Sequence, residues 1–288
     1  MLGLRATAAG KALVRQLNLH GEIMAILDYS LARNVPVSRG HRHYFLGAPF
    51  DNIGQDAAVR LVTDSDGSTK FRYIVTPNVD HVVRLSGNRQ LAPYYDEAWM
   101  SLCDSKPIST LSHAVSLGLP LVTGSDLTAR LFKTVIKDGD LITLIAANPQ
   151  IVRDLESAYP GIRFRSMVPP SGVLHHPHAL QACVDFVAAE KARFVFIAIG
   201  SPQSEKIAYA LAQRPDACGV GLCIGASLEF LVGAQKRAPL WMRRAGMEWA
   251  HRLASDPKRL WRRYAFAVAP LTQLFVKELV IRARKHPS

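Results

Sequence analysis

LITLIAANPQIVRDLESAYPGIRFRSMV, residues 141–168, reads as strand, helix, strand. The apolar run 141–147 is short and β-rich, residues 151–159 carry a helical spacing of apolar side chains, and FRSMV (164–168) is extended again. The same alternation extends in both directions. Toward the N-terminus come FRYIVT (71–76) with a helix from Val79 to Leu85, WMSLC (99–103) with a helix from Pro107 to Leu117, and LVT (121–123) with a helix from Leu127 to Ile136. Toward the C-terminus come a helix from His178 to Ala189, FVFIAIG (194–200), a helix from Ser204 to Leu211, and CGVGLCIG (218–225). Apolar strands separated by single helices predict a mostly parallel sheet with helices on both faces, an α/β fold of the Rossmann-like kind.

Ligands of such sheets collect at the carboxyl ends of the strands. Small and polar residues follow the apolar runs there: Thr76-Pro77-Asn78, Asp104-Ser105, Gly124-Ser125-Asp126, Gly200-Ser201-Pro202-Gln203 and Gly225-Ala226-Ser227. Helix capping explains some of them, since Ser, Thr, Asp and Asn satisfy free N–H groups at helix starts. Five such ends on one rim point beyond capping to a binding site. Asp104 is the acid best placed for chemistry: at a strand end its carboxylate can face a ligand and take a proton from an attacking hydroxyl. Its competing reading is an N-cap for the helix after Pro107.

With 288 residues, 49% of them apolar, the chain can bury a large core without disulfides or a structural metal. Its four cysteines show no C-x-x-C spacing, which suits a reducing compartment. The N-terminal stretch has no apolar block long enough for a secretory h-region, so export is not expected, and no apolar run in the chain approaches a membrane span. The net charge is +12, and residues 236–288 hold 13 Lys and Arg against three acids, so ten of those charges sit in the tail. Three of the four tryptophans, Trp241, Trp249 and Trp261, lie there too. The expected layout is an accessory segment (1–42), an α/β domain (43–235) and a basic helical appendage (236–288). A basic, Trp-rich appendage suits an anionic partner such as a phosphate-bearing ligand or an acidic membrane surface. Without a recognised nucleic-acid module, DNA and RNA are not expected partners. A helix begins at Asp256-Pro257, and the apolar stretch 265–281 reads as an interfacial or docking helix.

Other motifs are read conservatively. Asp64-Ser65-Asp66 has the D-x-D form of cation-dependent sugar-nucleotide transferases but sits in a turn-rich context. Gly219, Gly221 and Gly225 have the wrong spacing for a dinucleotide fingerprint. His175-His176-Pro177-His178 has no neighbouring acid or Cys to complete a metal set, and Cys103 ends an apolar strand. Neither a metal nor a cofactor is expected.

LGAPFDN (46–52), TPNVDHVV (76–83), CDSKP (103–107), GSDL (124–127), YPG (159–161), GSPQSE (200–205), GASLEFLVG (225–233), KRAPLWMRRAGMEWAHRL (236–253) and DPKRLWRRY (256–264) follow one another in the order of a single family. The chain resembles the WecG/TagA/CpsF family of bacterial glycosyltransferases. That resemblance implies transfer of a sugar from a UDP-sugar to a polyprenyl-diphosphate-linked acceptor, with inversion and without a metal, at the inner face of the bacterial plasma membrane. It implies Thr76 and Asn78 in the sugar pocket and Asp104 as base. Gly124, Ser125 and Asp126 with Gly225 to Glu229 would shape the nucleotide pocket, next to Gly200, Gln203 and Glu205. The arginine spacing of TagA-type appendages selects Arg252, Arg259 and Arg262, with Arg237 in the preceding block. Two departures stand out: the family Gln of G-A-P-K-Q-E falls on Ser204, and its F-D falls on Leu228-Glu229. GSPQSE with GLCIGAS leans toward exopolysaccharide-building members. N-acetylmannosamine, its uronic acid and glucose are the donor sugars to choose among, and homo-oligomerisation stays open. The rival reading is a membrane-docked scaffold of the same fold without activity.

Overall fold

The computed structural model of the 288-residue chain describes residues 42–65 and 67–235, the positions 238, 239, 242, 250, 251 and 254, and a helix over 257–285 whose side chains are described from 268 to 284. The helical pattern expected through Ile23, Ile26, Leu27 and Leu31 lies outside the described residues.

Six parallel strands form the central sheet: β3 (Arg72–Val75), β4 (Met100–Ser101), β5 (Leu141–Ala146), β6 (Arg163–Met167), β7 (Phe194–Ala198) and β8 (Val220–Cys223), in the order β4-β3-β8-β7-β5-β6. The four inner strands are buried almost throughout, as their unbroken apolar runs require. Edge strand β6 is largely exposed and carries Arg163 and Arg165, charges that discourage further pairing. Successive side chains of a strand enter opposite layers. Tyr73 and Val75 face one core with Val195 and Ile197, while Ile74 faces the other with Phe194 and Phe196.

Helices cover both faces. On the first lie α2 (Val79–Gly87), α3 (Ala92–Asp96), α4 (Lys106–Ala114), α7 (Pro177–Glu190) and α8 (Gln203–Ala212). On the second lie α1 (Gln55–Thr63), α5 (Gly124–Thr134), α6 (Pro149–Ala158) and α9 (Ser227–Leu231). Local chemistry starts four of these nine: Asn78, Ser105, Thr123 and Asn148 each accept a backbone N–H at a helix start. The expected strand LVT shrinks to one bridge, Leu121 to Cys103, because Thr123 is already committed to capping α5.

Two glycines of CGVGLCIG, Gly219 and Gly221, serve packing and no fingerprint. A Cβ on Gly219 (φ +92°) would stand 2.3 Å from the Ala192 carbonyl, and one on Gly221 2.4 Å from the Phe71 ring. Asp64 is the C-cap of α1, whereas Asp66 lies outside the described residues. His176 precedes α7, and among the described residues no group of His, Cys, Asp and Glu could hold a metal ion.

An antiparallel hairpin, β1 (Arg42–Phe45) and β2 (Ala48–Asp51), precedes α1. Arg42 grips both carboxylate oxygens of Asp51 at 2.7 Å and also donates to the carbonyls of Asp96 and Ala98. Asp51 in turn accepts the Ser101 N–H at 2.7 Å, which ties the hairpin to β4. Helix α10 (Pro257–Lys285) is one helix of 29 residues running through Pro270, where the sequence suggested two segments. Its residues Leu271, Leu274 and Phe275 pack on the first core, Phe275 edge-on to Phe45, and Glu278 accepts the Leu46 N–H. Val268, Val276, Leu279 and Val280 of the same helix stay exposed. Among the described residues no helix is long and apolar enough to cross a membrane.

Candidate functional site

A cleft of about 800 Å³ opens over the carboxyl ends of β3, β4, β7 and β8. Thr76, Asn78, Asp104, Ser125, Gly200, Glu205, Gly225 and Glu229 all line it, so each of the five expected strand ends contributes at least one residue.

Asp104 follows β4. Its N–H donates to the Pro77 carbonyl, and its Oδ2 accepts the Gly124 N–H at 3.3 Å, at the start of α5. The N-cap of α4 is Ser105, which accepts the Ile108 N–H, so the capping explanation of Asp104 falls away. Gly124 is where the polar groups meet. A Cβ there would stand 3.2 Å from both Ser227 Oγ and Thr76 Oγ1 and 3.7 Å from Asp104 Oδ2, so glycine keeps this corner open. Thr76 is buried and its hydroxyl lies 3.4 Å from the Cys223 carbonyl. Ser125 Oγ reaches Ser227 Oγ at 3.5 Å.

Asn78 has two duties. It lines the cleft, and its Oδ1 accepts the Asp80 N–H at 3.0 Å as N-cap of α2. Its own N–H donates to His81 Nδ1 at 3.1 Å, closing a capping box. Because Nδ1 accepts, the neutral imidazole carries its hydrogen on Nε2, which lies 4.0 Å from Glu205 Oε1. Glu205 is only 3% exposed. Burial pushes its carboxyl up to about 7, against the pull of its own backbone N–H, the Ser201 hydroxyl and Arg84.

A stability effect follows. The folded protein prefers the protonated Glu205, so this group's contribution is fully present below its ordinary value of 4.5 and is lost as pH rises through about 7. Linkage over that window amounts to about 3 kcal/mol at most. Urea midpoints should therefore fall from pH 5 to pH 8 in the wild type, and the fall should shrink in Glu205→Gln. Parallel pH profiles of the two proteins would refute this origin.

Other expected residues land differently. Asp126 does not line the cleft; its carboxylate accepts from the Thr123 hydroxyl at 2.7 Å while its N–H returns to that hydroxyl, a cap for α5. Gln203 opens α8 outside the lining, with Oε1 buried and without a hydrogen-bond partner. Glu229 lines the cleft and accepts from the Gln235 amide. Arg237 and Arg252 lie outside the described residues, as do the side chains of Arg259 and Arg262 in α10. Cys103 is no nucleophile: burial pushes its thiol up to about 12.

Sequence reasoning missed His81 and Arg84, whereas Ser201 and Ser227 stood among the expected strand ends and do line the cleft. Arg84 donates to Ser201 Oγ at 3.0 Å, and the same hydroxyl meets Tyr95 Oη at 3.1 Å. One signal was available: on the helix capped by Asn78, His81 is three residues beyond the cap and Arg84 three beyond His81, so each neighbours the one before it.

Fold and cleft together define a doubly wound α/β protein that takes its ligand at the carboxyl ends of its strands. The family model for the WecG/TagA/CpsF glycosyl transferases matches residues 43–285, and the chain belongs to that family. Its class is thus that of glycosyltransferases in cell-surface polymer synthesis, which take a sugar donor and an acceptor.

Proposed function

We propose that the protein moves a hexose-type sugar (N-acetylmannosamine, its uronic acid or glucose) from a UDP-sugar to an undecaprenyl-diphosphate-linked saccharide, with inversion and without a metal, in exopolysaccharide synthesis at the inner membrane face. The observation that carries this reading is the meeting of Asp104, Thr76 and Ser227 around the open corner at Gly124. There the Asp104 carboxylate takes the proton of the acceptor hydroxyl, whose oxygen attacks the anomeric carbon. The bond from that carbon to the β-phosphate oxygen breaks, and UDP leaves with the electron pair.

Charge supports a role for the tail. Among the described lining residues Arg84 is the permanent cation, against the carboxyls of Asp80, Asp104, Glu205 and Glu229. A diphosphate needs more positive charge than that, and residues 236–288 hold ten of the chain's twelve net charges. Arg252, Arg259 and Arg262, with Arg237, are the proposed partners of the departing UDP. The exposed Val268, Val276, Leu279 and Val280 with nearby Lys277 and Arg284 suit the surface of an anionic membrane. The proposed division is a catalytic domain over 43–235 and a membrane-associating appendage from 236 onward.

A donor screen tests the reading: purified protein, a panel of UDP-sugars and a polyprenyl-diphosphate-sugar acceptor, with product mass as readout and parallel reactions in EDTA and in Mg²⁺. One UDP-sugar should give an acceptor heavier by one sugar residue at equal rates in both. No product from any donor would favour the inactive scaffold, and product only with Mg²⁺ would remove the metal-free mechanism.

A further inference from the structure

Two neighbouring side chains in the cleft lining hold buried polar atoms without a hydrogen-bond partner: Ser204 Oγ and Glu205 Oε2. Buried polar atoms are nearly always paired, so an unpaired couple in a cleft wall calls for a ligand or ordered water. We propose, on the donor reading above, that Glu205 determines sugar specificity: its ionised carboxyl accepts a hydrogen bond from a hydroxyl or amide N–H of the transferred sugar.

Three features support this assignment. A carboxylate repels a diphosphate, so Glu205 suits the uncharged part of a sugar nucleotide. It adjoins Asn78 through His81, whose imidazole accepts the Asn78 N–H at 3.1 Å and turns Nε2–H toward Glu205 Oε1 at 4.0 Å. The groups around it favour the ionised form once a ligand completes its hydrogen bonds. From α2, His81 presents a neutral N–H, Arg84 acts through Ser201, and Asp80 also lines the cleft. From α3, Tyr95 shares the Ser201 hydroxyl, and burial holds its phenol well above the ordinary value. From β8, Cys223 is buried and held as a thiol in the same way. Arg84 pulls the carboxyl down, yet burial outweighs it and holds the group at about 7 until a donor hydrogen arrives.

The sign follows. A ligand hydrogen that prefers the carboxylate lowers its proton affinity, so binding releases about half a proton at pH 7 and tightens as pH rises from 6 to 8. Calorimetry of the full chain tests this with UDP, UDP-glucose, UDP-N-acetylmannosamine and UDP-N-acetylmannosaminuronic acid, in two buffers of different ionisation enthalpy. Wild type and Glu205→Gln are compared on the same sugar nucleotide. The expected result is proton release by the wild type alone, with roughly tenfold weaker binding of the preferred UDP-sugar to the variant and unchanged binding of UDP. Unchanged UDP affinity also shows that the variant is folded. Equal weakening toward UDP and UDP-sugar, no weakening, or proton uptake by the wild type would overturn the assignment while leaving the donor reading intact. Failure of the wild type to bind any of the four would overturn the donor reading and this one with it. Should Glu205→Gln fail to fold, the wild-type proton count decides alone: zero or uptake refutes the proposal.

Discussion

Asp104→Asn should bind its sugar nucleotide about as tightly as the wild type and turn it over on the order of 10²–10⁴ times more slowly, the range expected for loss of a general base. The substitution is close to isosteric, and the asparagine oxygen can still accept the Gly124 N–H that Asp104 Oδ2 receives at 3.3 Å. Ser105 keeps capping α4, so local structure has no reason to change. What disappears is the carboxylate that can take a proton at the corner shared with Thr76 and Ser227. Calorimetry and initial rates on the same preparation separate the two effects. Turnover like that of the wild type would remove Asp104 from the mechanism, and a matched loss of binding would make it a ligand-holding group.

The largest stability effect should come from Asp51→Ala, at about 3–5 kcal/mol, the cost of breaking a buried ion pair from one side. The Asp51 side chain is fully buried and that of Arg42 is 9% exposed. Removing the carboxylate leaves the guanidinium with only the Asp96 and Ala98 carbonyls, and it strips the Ser101 N–H of its acceptor. Because Ser101 belongs to β4, the same change loosens the strand that delivers Asp104 to the cleft. Urea denaturation measures the loss. A double variant, Arg42→Met with Asp51→Leu, should recover only the part due to the buried charge, since an apolar pair leaves the Ser101 N–H without its acceptor. A loss below about 1 kcal/mol for Asp51→Ala would show that water reaches the pair.

Strand and helix positions were legible because their causes are local. The run LITLIAA can be buried on both faces only as an inner strand, and Pro107 and Pro257 fall in the first turn of a helix, where a missing N–H costs no helical hydrogen bond. Motifs at strand ends were legible for the same reason: small and polar residues after an apolar run must lie at the sheet's rim. LVT misled because three residues carry too little periodicity to outweigh a capping threonine. The hairpin at 42–51 was invisible because its stabilising partners, Asp96, Ala98 and Ser101, are about fifty residues away in the chain.

Composition, periodicity and capping residues were thus enough for the α/β class, the rim and Asp104. Which strands are neighbours, and therefore which rim residues face one another, depends on packing between segments far apart in sequence. That is why Asp126 turned out to bond with Thr123, the cap of its own helix, while His81 and Arg84, on a helix read only for its apolar face, enter the cleft beside Glu205. Local preference acts over a few residues, but a buried carboxyl takes its character from whatever the fold brings within a few ångströms of it. Helix α10 makes the same point: its apolar residues read alike in the chain, yet Leu271, Leu274 and Phe275 pack on the core while Val268 and Val276 face outward, a division made by the surface on which the helix lies.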